Sequence, residues 1–408
     1  MYKTYRVKSG DTLEKISRVL YGYEDKAGNL AILNGLNDPL PVGTLLKYTE
    51  DEKETSGVGQ PVESTADIQE ILITINNEPI TNIESYELAI SLTGFRVLAL
   101  STYWEENDEL PQIYKYGNEV KLYENGLLQF TGHITQIPRS ATLSERIIEV
   151  LCMSRASILG STMPLSAFPL EYRNVSLRQI IQRCANIFGL SVELPQDRDL
   201  ELDKTFKNDF SNGVSARLGE SVIDFLVRIC KTRGFIVSDT PSGNLKIVNV
   251  EPRESDFNLD QSRDITSILD TRDFSLLGET YLVFSQYMTN NAVGQFRIKD
   301  FPLPITKTII SEENDANDIN DLAQWVACRE VGKAMRIQID MVKTIIAGKD
   351  LIVGSMFDLT APALNIDRKQ YIVERIVKVA GKQQKITLIA TTPKAYTGEA
   401  IAMEDLSL

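Results

Sequence analysis

Apolar residues recur at helical spacing through residues 219–237, GESVIDFLVRICKTRGFIV, where Val222, Phe225, Leu226, Ile229 and Cys230 share one face. Gly234 supplies a C-terminal stop for that helix. FIVSD and NLKIVNV follow as two strands turned by Ser242-Gly243. A second unit of the same kind starts at Ser176, which opens a helix with Gln179 completing a capping box. Leu177, Ile180, Ile181, Cys184 and Ile187 are expected on its inner face, Gly189 ends it, and LSVEL reads as a strand. The two units are a shared local solution and not a repeat array.

Period-two alternation dominates elsewhere. Between residues 68 and 156, EILITIN, SYELAISL, FRVLALSTYW, EVKLYENGLLQFTGHITQI and RIIEVLCMS read as strands. Asn125-Gly126 is a two-residue hairpin signal. Around it Val120, Leu122, Leu128, Phe130 and Ile134 share one parity and predict a core face, whereas Gln129, Thr131, His133 and Thr135 predict a polar one. Residues 251–408 return to strands: ETYLVFSQYM, MRIQIDMVKTII, SMFDLTAP, QYIVERIVKV and KITLIATTP. One helix interrupts them from about Asp318, with Leu322, Trp325 and Val326 inward.

Residues 1–49 form a separate unit: strand YRVKSG, a helix capped by Asp11 with Glu14 three residues on, a short helix around Asn29–Leu33, and closing strand GTLLKY. This β-α-α-β order, with YRVKSGDTLEKIS, LYG and LNDPLPVGTLLKY, resembles a LysM domain. The resemblance implies a sugar groove between two loops, here containing Gly10, Asp11, Thr12 and Leu13 on one side and Asn34, Leu36, Asn37 and Pro39 on the other. The plainer alternative is that Asp11 and Thr12 cap the helix and residues 34–39 turn the chain. A third is that the module clamps another protein. Both loops lack the aromatic side chains on which sugars stack. Residues 50–67, EDEKETSGVGQPVESTAD, are acidic and poor in apolar residues, and predict a flexible linker.

Charge and residue counts narrow the chemistry. The net charge of −13 argues against gripping nucleic acid, which needs a basic face. No apolar run approaches the ~18 residues of a membrane span, and MYKTYRVKSGD lacks the apolar core of a signal peptide. Cys152, Cys184, Cys230 and Cys328 form no CxxC pair and are expected as buried thiols. His133 is the one histidine, so a zinc site or a histidine-based triad is not expected. A carboxylate pair of the glycosidase kind remains open by counting. Glu105 and Glu106, in WEENDELP, have no apolar setting to raise a pKa. Phosphate-loop glycine patterns are absent, and no cofactor is expected.

The segment GESVIDFLVRICKTRGFIV…SGNL resembles the baseplate hub proteins of contractile-tailed, Mu-like phages. GNEVKLYENGLLQFTGHI and the closing TTPKAY carry the same resemblance, which runs through roughly residues 70–396 as pattern and order. It implies a mainly β chain with α+β character: a LysM module (1–49), the linker (50–67), a tail-tube-like β-barrel (68–156), a smaller α/β region (157–250) and a second tube-like barrel (251–408). It also implies a non-enzymatic homotrimer in which two barrels per chain make a pseudo-sixfold ring. The partners implied are a central spike protein, the tail tube or its initiator, baseplate wedge proteins and, through the LysM module, peptidoglycan. The expected location is the virion baseplate, assembled in the host cytoplasm, with DNA passing through the channel. Polar strand faces such as Gln129–Thr135 are candidates to line that channel. Two alternatives stand beside this: a LysM-targeted peptidoglycan hydrolase, and the hub part of a type VI secretion spike. The chain's end at Leu408, just after its last strands, favours a separate spike over the latter.

Overall fold

A computed structural model describes residues 2–7, 12–13, 15–16, 45–49, 71–81, 83–103, 113–141, 146–162, 171–172, 174–196, 199–206, 214–285, 293–311, 316–341, 345–346, 349–381 and 384–402. The chain divides into two units, Met1–Asp67 and Ile68–Leu408.

In the first unit, β1 (Tyr2–Arg6) pairs antiparallel with β2 (Leu45–Thr49), Tyr2 lying opposite Thr49. Val7, Leu13 and Ile16 are buried. Thr12 is placed to cap the helix that follows it. The Lys15 backbone N–H donates to Thr12 Oγ1 at 3.3 Å, and the Ile16 N–H donates to the Thr12 carbonyl at 2.9 Å. A threonine hydroxyl three residues before that N–H satisfies one of the helix's free donors. Asp11, Glu14, the helix expected around 29–33 and the linker 50–67 lie outside the described residues.

The second unit begins with eight strands: β3 (Ile71–Ile75), β4 (Glu78–Ile80), β5 (Ser85–Ser91), β6 (Val97–Tyr103), β7 (Glu119–Glu124), β8 (Leu127–Gln136), β9 (Arg139–Ala141) and β10 (Arg146–Ser154). Asn125 (φ 50°) and Gly126 (φ 76°) turn β7 into β8, both left-handed as the tightest hairpin loops require. An α/β region follows: β11 (Glu171–Tyr172), α1 (Leu177–Ile187), β12 (Val192–Glu193), α2 (Asp199–Asp203), β13 (Val214–Ser215), α3 (Val222–Lys231), β14 (Ile236–Asp239) and β15 (Leu245–Val248). Ser176 and Gln179 make the reciprocal capping box of α1, and Ser221 accepts from the Asp224 N–H at the start of α3. The apolar faces of α1 and α3 close on β14 and β15 in one core. Ile187, expected on the inner face of α1, is instead 40% exposed. It is the last residue of the helix, and Ala185 takes the inward place.

The rest of the chain adds β16 (Phe257–Asp260), β17 (Ser267–Arg272), β18 (Thr280–Ser285), β19 (Val293–Arg297), β20 (Thr306–Ser311), α4 (Ala316–Ala334), β21 (Met335–Met341), β22 (Ile345–Ile346), β23 (Lys349–Asp350), β24 (Met356–Ala361), β25 (Ile366–Ala380), β26 (Lys385–Thr391) and α5 (Lys394–Thr397). Strands β18, β19 and β20 form a small sheet packed on α4, with its own core around Tyr281, Leu322 and Val331.

The two strand-rich regions are not separate sheets. A 14-stranded sheet runs β17-β21-β26-β25-β5-β6-β10-β8-β7-β3-β4, with β16, β24 and β9 branching from it. The junction is β25, a strand of 15 residues. Its first part pairs with β24, and its last part with β5 from Arg375 opposite Ser91 to Ala380 opposite Tyr86. One hydrophobic core accordingly contains Ile73, Leu122 and Phe130 together with Phe257, Ile337, Phe357 and Leu388. Burying such residues contributes roughly 1.5–3 kcal/mol per large side chain, so the sharing of one core ties the beginning and end of this unit together.

Candidate functional site

The functional features of this chain are surfaces and seams. The first seam joins β5 to β25. Glu124, ending β7, accepts from Tyr86 Oη on β5 at 2.8 Å and from Lys378 Nζ on β25. All three residues are buried. Burial, with the adjacent Glu124 carboxylate, pushes the Tyr86 phenol far above its usual value. A charge pair this enclosed adds little net stability, but losing one partner would strand the other at a cost of about 3–5 kcal/mol. It therefore fixes which strands meet.

The second seam docks the α/β region on the sheet. The Arg96 guanidinium donates to Asp239 Oδ1 at 2.6 Å and to the Asp239 carbonyl at 2.7 Å, and the Arg96 backbone N–H donates to Oδ2 at 3.1 Å. The Asp239 side chain is fully enclosed. Burial pushes the Asp239 carboxyl up and the Arg96 guanidinium down, each against the pull of the other. Ser238 Oγ donates to the Ser91 carbonyl at 3.1 Å beside them. Gly243, at φ +74°, lets the β14–β15 turn reach β8: a Cβ there would stand 2.7 Å from the Thr131 carbonyl. Between these two seams lies a cleft of ≈ 570 Å³ with both ion pairs in its walls and Leu127 and Ile352 exposed at its rim.

That docking corrects the polar face expected over Gln129–Thr135. Thr131 is buried and His133 half-buried, and Thr131 Oγ1 and His133 Nδ1 have no hydrogen-bond partner. The face is covered where the 240–244 turn and Arg155 pack on it, so at Thr131 it is not an open channel lining.

The sheet ends differently at its two limits. Among the described residues β4 pairs only with β3, and β17 only with β21. Pro79 within β4 removes a donor, a usual way of blunting an edge. Strand β17 has no such block; Leu269 on it is 58% exposed, while Asp270 and Arg272 pair at 3.0 Å.

Of the sugar-groove candidates, Thr12 caps its helix and Leu13 is buried; Gly10, Asp11, Asn34, Leu36, Asn37 and Pro39 lie outside the described residues, as do Glu105 and Glu106. The four cysteines are buried thiols outside any disulfide. Burial pushes the Cys152 thiol up to about 12 and Cys184 up to about 11. Among the described residues no group of three His, Cys, Asp or Glu is placed to hold a metal. No described helix is long and apolar enough to cross a membrane. The sequence did not reveal the two buried ion pairs. The signals available were weak: a charge opening the apolar run of β6 and another closing that of β14.

Residues 165–249 match the family described as baseplate hub protein gp44-like, second domain. No curated protein matches the chain. Among solved structures, the 43 kDa tail protein of prophage MuSo2 from Shewanella oneidensis is 16% identical, covering 80% of this chain and 98% of its own, with a TM-score of 0.67. A tail protein from Neisseria meningitidis MC58 is 12% identical over 82% of this chain and 99% of its own, with a TM-score of 0.69. An Escherichia coli component of the type VI secretion system, described as similar to T4 bacteriophage tail proteins gp27 and gp5, is 11% identical over 81% of this chain and 79% of its own, with a TM-score of 0.52. The chain thus has the mainly β fold of phage tail proteins, with a hub-type second domain between its strand-rich regions.

Proposed function

We propose that this chain is a structural, non-enzymatic baseplate hub subunit that assembles as a homotrimeric ring between a sixfold tail tube and a threefold spike, in the virion baseplate. The observation that carries the proposal is the single sheet of two strand-rich regions. It brings the two strand-rich modules of residues 68–408 together at β5–β25, where the Glu124–Lys378–Tyr86 network lies. Three such chains would give six modules. The unblocked edge of β17 is the place for a neighbouring copy to add, since an exposed strand edge pairs or aggregates unless it is covered. The N-terminal module acts as a clamp on another protein of the particle. What supports this over a sugar groove is that the Thr12 hydroxyl is committed to its helix.

Mass photometry of the full chain at micromolar concentration, with and without its spike, tests the ring. A trimer is expected, and Leu269→Asp is expected to convert it to monomers with an unchanged circular dichroism spectrum. A strictly monomeric wild-type protein in both conditions overturns the proposal. Co-sedimentation with insoluble peptidoglycan would overturn the clamp.

A further inference from the structure

The cleft of ≈ 570 Å³ between the two seams falls within the ~300–1,000 Å³ usual for binding sites. Its apolar walls come from three parts of the chain: Leu92 just after β5, Val250 past the end of β15, and Val353 ahead of β24. Two large side chains at its rim are exposed. Leu127 stands opposite the buried Glu124, on the face that carries Leu122 and Phe130 into the core, yet it is 58% exposed. Ile352 is 61% exposed. Charge in the walls is already matched. Arg96 pairs with Asp239, Lys378 with Glu124, Lys246 with Glu193 and Arg253 with Asp256, while Glu251 accepts from the Asn249 amide at 3.0 Å. What remains is a set of donors. The Arg96 Nε–H is buried and has no acceptor. The backbone N–H groups of Val250 and Val353 have no acceptor among the described residues either.

We infer that the cleft binds an extended, uncharged, aliphatic peptide segment of another protein. Its branched side chains cover Leu127 and Ile352, and its carbonyls accept from the spare N–H groups. A charged segment would give up its water for walls whose ions are already paired, which is unfavourable. A pure hydrocarbon would cover the apolar walls but leave the donors without a partner, and an unpaired donor kept from water is costly. A peptide main chain meets both demands, because it supplies acceptors at regular spacing beside its side chains, as in strand addition to exposed backbone. This site is separate from the β17 edge and does not depend on the ring.

The full chain, labelled at its Ile, Leu and Val methyl groups, is titrated with acetyl-valyl-leucyl-valine amide and followed by NMR. Three comparators are used. Acetyl-seryl-asparaginyl-serine amide keeps the backbone with polar side chains, acetyl-glutamyl-leucyl-glutamate amide adds charge, and tert-butanol is an apolar group without a peptide. Saturable shifts are expected at the Leu127, Ile352 and Val353 methyls with the aliphatic peptide, and binding at least ~10-fold weaker with each comparator. Leu127→Ser and Ile352→Ser should each weaken binding by ~5–10-fold, as for losing part of one side chain's apolar contact. Both side chains are exposed, so neither change should lower the melting temperature of the unliganded protein. Raising salt from ~0.05 to ~0.5 M should not weaken binding, since no charge is involved. No saturable shift at these methyls up to ~10 mM peptide, an equal response to the polar tripeptide, or full affinity in both variants would overturn the inference. Tighter binding of the acidic peptide that salt abolishes would make the cleft a charge site, and tert-butanol saturating the same methyls at equal concentration would make it a hole for small apolar molecules. Either result would overturn it too.

Discussion

Single residues decide how this chain meets itself, and Glu220 is the clearest case for a pH test. Its carboxylate accepts from Arg228 Nε at 2.8 Å and Nη2 at 2.7 Å, and from the Arg217 N–H at 2.9 Å. Burial pushes this carboxyl up; the Arg228 fork and the Arg217 N–H outweigh it and hold it below the usual glutamate value. A depressed folded-state pKa means that the stabilisation is present above the unfolded value and lost as pH falls through the folded one. Glu220→Gln should therefore cost about 1–2 kcal/mol at pH 7. The gap to wild type should close as pH drops below the ordinary glutamate value of 4.5. Urea titrations at pH 7 and at about pH 3 check this, and a gap unchanged in acid would contradict it. This contact was readable in principle, since its members lie within 12 positions on a helix and its approach. The Arg96–Asp239 pair was not: it joins positions 143 apart, and only the fold brings them together.

At the scale of elements, local pattern and local structure agree closely. The inner face of α3 is the same five residues that helical spacing selects, because no outside element competes for them. The capping box of α1 and the left-handed Asn125-Gly126 turn are likewise local chemistry. Pattern misled where a second layer arrives from far along the chain. Thr131 sits at the polar parity of β8, yet the β14–β15 turn covers it. Gly243 makes that approach possible twice over: its φ of +74° is costly for other residues, and a Cβ would stand 2.7 Å from both the Thr131 carbonyl and the Arg155 Cβ. Gly243→Ala should lose about 1–2 kcal/mol for the backbone alone, with more from the clash. The main cores on the two sides are distinct and a smaller cluster with Leu92, Ile236, Val250 and Met356 joins them, so the loss should loosen the docking before it melts either main core. Hydrogen exchange should rise first at 91–96 and 236–239. Uniform loss of protection through the whole sheet would count against a separable seam.

For the whole molecule, the alternation of strand-rich and helix-rich stretches was legible, and the joining of the strand-rich stretches in one sheet was not. Strand spacing marks two strand-rich regions with an α/β region between them. Nothing local announces that β25 will pair with β5, since that pairing links residues nearly 300 positions apart. The same scale governs how the protein meets DNA. Its net charge of −13 raises a repulsive potential toward a polyanion, and a phosphate grip needs many cations that release counterions together. Among the described residues, Lys231 at the end of α3 borders a pocket that also holds Glu201 and Asp321 and is too small to track a backbone. Arg96 and Lys378 are spent on buried partners. If the chain serves as the hub proposed above, weak contact with DNA would leave the passage of a genome unslowed. The purified protein is expected to leave a duplex of a few tens of base pairs unshifted on a gel at low ionic strength, where electrostatic attraction is greatest. Retention that vanishes on adding salt would reveal a basic track that the charge distribution described here does not contain.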